Sequence, residues 1–294
     1  PPDHGSGAKK IPSTSTRRSI RERMEEEAGA VNIISLGAGV QSTTMLLMAA
    51  HGEITPKPDY AIFADTGWEP ARVYRHLDWL TEEAARYSIK IIRVSNGNIR
   101  DDLYRAVNEG TRFPSMPFFL KGGGIHRPGD EGRSWRQCTQ EYKLKPIQRE
   151  VRRLLAESGA EKAIIWLGIS WDELERAKMS RVKYIENRFP LLEKQMNRLD
   201  CITWLASKGY PIPPKSACVG CPFHDNVAWL DMKRNYPEEW QEAVEFDRAI
   251  RKLPKFKKEP YLHRSCRPLD EVDLQENQGE LDLFGNECEG YCGV

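Results

Sequence analysis

Two cysteines separated by two residues, Cys218 and Cys221, form the pattern in this chain that most directly suggests chemistry. That spacing lets two thiolates reach one metal centre. The sequence contains 7 cysteines, an odd number that is too sparse in 294 residues for a disulfide framework. Reduced thiols in a cytosolic setting are therefore predicted. Spacing alone does not separate zinc from an iron–sulfur cluster, and His224, which follows Cys221 closely, is a candidate zinc ligand.

A glycine-rich turn follows an apolar run near the start of the chain. Residues 31–36 are typical of a buried strand, Gly37-Ala38-Gly39 interrupts them, and a hydroxyl-rich helix start comes next. Backbone N–H groups of such a turn point at an anion, reinforced by the helix N-terminus. The alternative is a plain strand-to-helix turn, since neither the Walker pattern nor the dinucleotide-binding glycine pattern is present. The candidate phosphate-binding residues are Ser35, Gly37, Ala38, Gly39, Gln41, Ser42 and Thr43.

The turn resembles the PP-loop of the adenine nucleotide alpha hydrolase superfamily. Asp65-Thr66-Gly67 is similar to the Asp-Thr-Gly motif of phosphoadenosine phosphosulfate (PAPS) reductases and their relatives, and residues 168–176 resemble a third motif of that branch. The resemblance implies an enzyme that cleaves ATP at the α-phosphate with Mg²⁺, adenylating an acceptor. It adds Asp65, Thr66, Gly67 and Gly168 to the nucleotide site. The family prefers Lys-Asp where this chain has Val40-Gln41, so Asp65 becomes the candidate Mg²⁺ carboxylate.

Such a reaction needs cations for the leaving pyrophosphate. Basic residues, among them Arg127 and Arg133, surround a glycine-rich stretch at 121–126. The alternative is a solvated basic loop. The predicted catalytic residues are Asp65, Arg136, Lys143 and Arg176.

A third cysteine extends the metal prediction. Residues 136–146, which contain Cys138, resemble the Cys-Cys…Lys…Pro segment of iron–sulfur sulfonucleotide reductases, with Thr139 in place of the second cysteine. The resemblance implies that Cys138, Cys218 and Cys221 bind a [4Fe–4S] cluster. Cys266 is the predicted fourth metal ligand, with Cys288, Cys292 or an open iron as alternatives. A zinc knuckle with a purely structural role is the competing interpretation.

The pattern of apolar segments predicts the fold. Strand-like runs at 31–36, 59–64, 89–94 and 163–168 alternate with helices, which indicates an α/β, doubly wound parallel sheet. From about residue 187 the strand signal disappears, and helices are predicted at 199–208 and 229–253. The domains are therefore an N-terminal tail with a short helix (1–30), a PP-loop nucleotide-binding domain (31–186) and a C-terminal helical, cysteine-bearing, metal-binding region (187–294).

Composition narrows the function classes. The net charge is +1 and no apolar run is long enough to span a membrane, so a polycation and a membrane protein are both disfavoured, and a cytoplasmic location is predicted. The first hypothesis is an ATP pyrophosphatase and sulfurtransferase that modifies DNA or tRNA, supplied by a cysteine desulfurase or another sulfur donor. The second is a PAPS or adenosine phosphosulfate (APS) reductase using a thiol in the tail, Cys288. The third is a non-catalytic, nucleotide-binding zinc module.

Overall fold

The computed structural model describes residues 29–114, 116–122, 132–254 and 256–275. Five strands form one sheet in the order β3-β2-β1-β6-β7, and every neighbouring pair is parallel. A small antiparallel sheet has the order β5-β4-β8. The strands are β1 (Val31–Leu36), β2 (Tyr60–Asp65), β3 (Lys90–Ser95), β4 (Phe119–Leu120), β5 (Gly132–Arg133), β6 (Ala163–Leu167), β7 (Ile185–Arg188) and β8 (Pro260–Tyr261).

Helices cover both faces of the parallel sheet. Those of the described residues are α1 (Val40–Ala50), α2 (Ala71–Arg86), α3 (Ile99–Glu109), α4 (Lys145–Ser158), α5 (Pro190–Glu193), α6 (Arg198–Ser207), α7 (Asn226–Asn235) and α8 (Pro237–Ile250). A π-helical turn (Thr139–Leu144) leads into α4, and 3₁₀ turns lie at Trp171–Arg176 and Leu269–Glu271. None of these helices is both long and apolar enough to cross a bilayer.

The central strand β1 is buried along its whole length, as expected for a parallel strand covered on both faces. Its side chains alternate between two cores. Ile34 packs with residues of α1, α2 and α6, whereas Ile33 packs with residues of α4. The predicted doubly wound parallel sheet is therefore confirmed.

The C-terminal region is joined closely to the sheet. The predicted boundary at residue 186 falls inside β7, and α6 contributes Leu205 to the same core as α1. A third core contains Trp229 and Phe246 of α7 and α8 together with Trp68, which directly follows the Asp-Thr-Gly motif. This core links the cysteine-bearing region to the strand ends of the sheet.

Two details of the C-terminal prediction were wrong. The helix predicted at 229–253 is two helices, because Pro237 keeps Tyr236 out of the helical conformation between α7 and α8 (φ −137°, ψ 64°). Strand structure also continues beyond residue 187, because β7 ends at Arg188 and the short strand β8 lies at Pro260–Tyr261. The predicted N-terminal tail and its helix lie almost wholly outside the described residues.

Candidate functional site

The glycine turn lies at the carboxyl end of β1, where the winding of the sheet reverses between β1 and β6. Open α/β sheets bind ligands at this kind of position. Ala38 adopts a positive φ of 58°, and Gly39 is extended before α1 begins. The hydroxyl of Ser42 accepts a hydrogen bond from the Gly37 N–H at 3.2 Å. The residues after β6, Gly168 and its neighbours, adjoin the same edge.

The turn is covered in this structure. Residues 37–42 are buried, and Ser216 donates its hydroxyl hydrogen to the Gly37 carbonyl. The Gln41 side-chain amide donates to Ser170 Oγ and to Glu173 Oε2, both at 3.4 Å. Arg198 donates to Gln41 Oε1 at 2.9 Å. An anion can reach the backbone N–H groups of the turn only after part of this cover moves.

Arg176, a predicted catalytic residue, belongs to this cover. Its guanidinium forms an ion pair with Glu173, the acceptor of the Gln41 amide. Arg176 and the glycine turn are therefore connected through Glu173 and Gln41.

Asp65, Thr66 and Gly67 form a tight turn at the end of β2. Asp65 Oδ1 accepts hydrogen bonds from the Gly67 N–H at 2.7 Å and from the Tyr74 hydroxyl at 2.8 Å. Gly67 has a φ of +74°, and a Cβ there would meet Asn98 at 2.9 Å. Asn98 caps α3 and donates to the Gly67 carbonyl. The sequence therefore needs glycine here both for its backbone conformation and for the close approach of α3.

The Cys218–Cys221 turn packs against the residue that follows Gly67. Val219 N–H donates to the Trp68 carbonyl at 3.0 Å, and the Gly220 backbone lies against the Trp68 ring. Within the turn, Cys221 N–H donates to the Cys218 carbonyl at 3.0 Å. Thr66 Oγ1 lies 3.1 Å from Cys218 Sγ, which joins the two motifs directly.

His224, the candidate zinc ligand, is turned toward the backbone. Its Nε2 lies 3.0 Å from the Cys218 carbonyl oxygen, and its ring packs edge-on against Trp229. Burial lowers the pKa of His224 to about 4. The second ring nitrogen, Nδ1, is buried without a hydrogen-bond partner among the described residues, so packing satisfies only one of the two nitrogens.

The π-helical turn before α4 brings the third cysteine segment to the same place. Cys138, Thr139 and Lys143 all reach one cavity beside the Cys218–Cys221 turn. The hydroxyl of Thr139, which stands at the position of the family's second cysteine, is buried without a hydrogen-bond partner. We call this space the thiol cavity. It is lined by Thr66, Ile99, Met116, Pro117, Arg136, Cys138, Thr139, Lys143, Cys218, Cys221 and Phe223.

Three of the four predicted metal ligands, Cys138, Cys218 and Cys221, therefore line one cavity. Cys266 is not among the lining residues. It is buried in the turn after β8 with a positive φ of 52°, and its N–H donates to the His263 carbonyl. Cys288, Cys292 and Arg127 lie outside the described residues. Among those that are described, no three His, Cys, Asp or Glu side chains are already close enough to hold a metal ion.

A buried ion pair that the sequence analysis did not single out lies beside the thiols. Lys143 Nζ is 4.0 Å from Glu69 Oε1, and both side chains are almost completely buried. Burial raises the pKa of Glu69, which the Lys143 charge opposes and the Asp65 charge reinforces. Glu69 Oε1 also lies 3.8 Å from Cys218 Sγ. Glu69 follows the Asp-Thr-Gly motif by two residues, but only the fold shows that its carboxyl group is buried.

Burial also raises the pKa of the Cys218 thiol well above its ordinary value, and the neighbouring Glu69 charge acts in the same direction. Cys218 is therefore a protonated thiol at neutral pH when no metal is bound. A metal ion would have to displace this proton, as is usual for thiolate ligands.

The glycine turn is also supported from α2. Thr43 Oγ1 lies 3.1 Å from His76 Nε2, and both residues are buried. Burial lowers the pKa of His76 to about 4. In the unfolded chain a histidine has a pKa of about 6.5. The stabilising contribution of a neutral His76 is therefore complete above about pH 6.5 and is lost as the pH falls toward 4.

We expect His76→Gln to unfold with a weaker acid dependence than the wild type. The loss of unfolding free energy between pH 7 and pH 4 should shrink by about 2–3 kcal/mol, since each pKa unit corresponds to about 1.4 kcal/mol. Urea titrations at the two pH values measure this difference. Thr43→Val, which removes the hydrogen bond but leaves His76 buried, is the matched control and should keep the acid dependence. An unchanged acid dependence in His76→Gln would contradict the assignment.

The fold and the cavity define the chain as a doubly wound α/β protein with three cysteines at the carboxyl edge of its parallel sheet. No family model matches the sequence. No curated protein matches it either. Among solved structures it is similar to the U34-tRNA thiolase NcsA from Methanococcus maripaludis with its [4Fe-4S] cluster. The TM-score is 0.37 and the identity 13%, over 78% of each chain.

Proposed function

We propose that this protein is a PP-loop ATP pyrophosphatase-type enzyme that carries an iron–sulfur cluster and transfers sulfur to a nucleic acid. The observation that carries the proposal is the meeting of Cys138, Cys218 and Cys221 at one cavity beside the Asp65-Thr66-Gly67 turn. Cys218 and Cys221 share one turn, but Cys138 comes from a segment far away in the sequence, so local turn geometry does not account for its meeting with them.

The residues of the thiol cavity fit a cluster. Three thiolates would hold the iron, and Arg136 and Lys143 line the same cavity, where their positive charges would offset the negative charge of the thiolates. Ile99 and Met116 supply an apolar wall, which restricts solvent access. When bound, such a cluster supplies an iron site that can hold a sulfur atom. Its binding would draw the thiols closer together than they lie now, so metal affinity and local folding would be coupled.

The nucleotide part of the proposal rests on the position of the glycine turn. It lies where the sheet reverses its winding, next to the ends of β1 and β6. In the proposed reaction an acceptor oxygen attacks the α-phosphorus of ATP and pyrophosphate leaves. A sulfur nucleophile then displaces AMP, which carries the acceptor oxygen away. Asp65 is the proposed Mg²⁺ ligand, and Lys143 and Arg136 are the proposed cations near the reacting groups.

The cover over the glycine turn sets a condition for this reaction. The contacts of Gln41 with Glu173 and Arg198 must open before ATP can bind. We expect the 3₁₀ turn Trp171–Arg176 to move, because none of its residues is buried and segments with few buried contacts open most easily.

Anaerobic purification followed by absorption spectroscopy and metal analysis tests the cluster. The proposal requires a brown protein that contains iron and acid-labile sulfide. Exchange of labelled pyrophosphate into ATP then tests the nucleotide chemistry, with Asp65→Asn as the inactive comparison. Stoichiometric zinc without a chromophore and without exchange would instead support the non-catalytic zinc module. Reduction of PAPS or APS with thioredoxin, abolished by Cys288→Ser, would support a reductase.

A further inference from the structure

An exposed tryptophan stands beside the thiol cavity. Trp135 is 69% exposed, and it lies on the segment between β5 and Cys138. The residue before it, Ser134, fixes this segment in place. The Ser134 N–H donates to the Phe118 carbonyl at 2.8 Å, and the Ser134 hydroxyl donates to the Met116 carbonyl at 2.6 Å. The Trp135 ring is therefore presented to solvent from a backbone that is firmly attached to the core.

Two guanidinium groups flank the tryptophan and share one aromatic ring. Arg133 lies 5.6 Å and Arg136 5.2 Å from the centre of the Phe223 ring, within the range of cation–π contacts. Phe223 and Arg136 also line the thiol cavity. Arg133 is exposed, and no carboxylate of the described residues pairs with it. A stacked arginine keeps its donors in a fixed plane suited to phosphate.

Further positive charge lies on the same small sheet. Lys121 follows β4, and Lys257 and Lys258 precede β8, which pairs with β4. All three lysines are exposed, and the Lys258 ammonium donates to the Gly122 carbonyl. In contrast, Arg251 is paired with the buried Asp247 at 2.7 Å and is not part of this surface. We call the surface the cavity rim. It consists of Lys121, Arg133, Trp135, Arg136, Phe223, Lys257 and Lys258.

We propose that the cavity rim binds a single-stranded nucleic acid, with a base stacked on Trp135 and phosphates held by Arg133 and the lysines. This inference rests on the proposed function and names its acceptor as an unpaired strand. An exposed aromatic ring among cations matches a strand whose bases are free to stack, whereas the bases of a duplex already stack on one another. The whole chain carries a net charge of only +1, so attraction of a polyanion depends on this local concentration of charge.

Fluorescence anisotropy with the full-length chain, without ATP, tests the rim. The probes are three labelled ligands of about 12 nucleotides, within the site size usual for single-strand binding. They are oligothymidine, an abasic strand with the same phosphates, and a duplex. Oligothymidine should bind about tenfold more tightly than the abasic strand, because stacking of a base on an aromatic side chain adds affinity. The duplex should bind more weakly than oligothymidine.

Two variants separate the stacking and charge contributions. Trp135→Ala should weaken oligothymidine binding about tenfold and leave the abasic strand unaffected. Arg133→Ala should weaken all strands and reduce the slope of log affinity against log salt by about 0.7. The matched controls are Trp171→Ala, a second exposed tryptophan outside the rim, and Arg152→Ala, an exposed arginine of α4. Both controls should bind like the wild type.

The inference is overturned if the wild type binds the abasic strand as tightly as oligothymidine. It is equally overturned if Trp135→Ala keeps full affinity, or if the duplex is the preferred ligand. None of these measurements needs iron or ATP turnover, so failure of the binding proposal can be distinguished from failure of the proposed function. If the protein binds oligothymidine through Trp135 but holds no iron, the proposal for the cavity rim stands and the proposed iron–sulfur enzyme is refuted.

Discussion

Cys218→Ser is expected to purify anaerobically without the brown chromophore and without the iron and sulfide of the wild type. Cys218 is buried at the thiol cavity between Thr66 and Glu69, so no solvent ligand can replace its sulfur easily. Loss of an outer-shell partner of a metal ligand usually reduces metal affinity by about 10–100-fold, and loss of the ligand itself should cost more. Serine is nearly the same size as cysteine, so the fold should persist. Absorption spectra and iron analysis, with circular dichroism as the folding check, measure the result.

Two other cysteine variants are the matched controls. Cys201 is completely buried in the core beneath α1, where its role is packing, and Cys201→Ser should keep the full iron content. Cys266→Ser should also keep the iron, because Cys266 does not line the cavity. Full retention of iron by Cys218→Ser would refute the site. Loss of iron in Cys266→Ser would restore the sequence-based prediction of a fourth ligand.

The strands of the parallel sheet were predictable because their signal is local. The run 31–36 is apolar apart from Asn32 and Ser35, which predicts a buried strand. The glycine turn that follows it predicts where the strand ends. The same applies to β2, which ends at the Asp-Thr-Gly turn. The short strand β8 was missed because it forms only through pairing with β4, which lies far away in the sequence. A strand of two residues is too short to show the alternation of apolar and polar residues that marks a strand in the sequence.

The sequence predicted three cysteines of the thiol cavity, and it also singled out Thr66, Arg136 and Lys143, which line the same cavity. Cys138, Cys218 and Cys221 followed from motif resemblance, and the fold places them on one cavity. The role of Glu69 could not be read from the sequence, because a carboxylate after a turn is usually solvated, and only tertiary contacts bury it against Lys143. The sequence did not distinguish among the candidates for the fourth ligand, Cys266, Cys288 and Cys292. Tertiary position separates Cys266 from the other three.

The glycine turn and the cysteine turn are connected by short contacts. Ser216, two residues before Cys218, donates to the Gly37 carbonyl. Thr66 of the Asp-Thr-Gly turn contacts the Cys218 sulfur from the other side. Opening of the glycine turn for a nucleotide would therefore change the surroundings of the thiols. The cover of the turn and the geometry of the thiol cavity belong to one connected set of contacts, which neither motif reveals by itself.

Gly220→Ala is expected to destabilise the protein and to release the proposed cluster, although the change adds only one methyl group. A Cβ at residue 220 would lie 2.4 Å and 2.6 Å from two atoms of the Trp68 ring and 3.3 Å from Phe246. Moving the Trp68 ring away from this methyl group would disrupt its own contacts. Its Nε1–H donates to Glu242 at 2.8 Å, and the ring packs against Phe246 at a tilt of 42° with the ring centres 4.5 Å apart. Overpacking of this kind costs about 1–3 kcal/mol.

The proposed cluster should respond because the clash lies between Cys218 and Cys221. Either the cysteine turn shifts away from Trp68, breaking the Val219 N–H bond to the Trp68 carbonyl, or the Asp-Thr-Gly turn shifts with Trp68. Both displacements move Cys218 relative to Thr66. Denaturant unfolding and iron analysis of Gly220→Ala, Trp68→Phe and the double variant form a cycle that isolates the contact. Phenylalanine lacks the two ring atoms that the new methyl group would meet, so the double variant should be less destabilised than the sum of the single changes and should recover iron. Simple additivity of the two destabilisations would show that Trp68 does not position the cysteine turn.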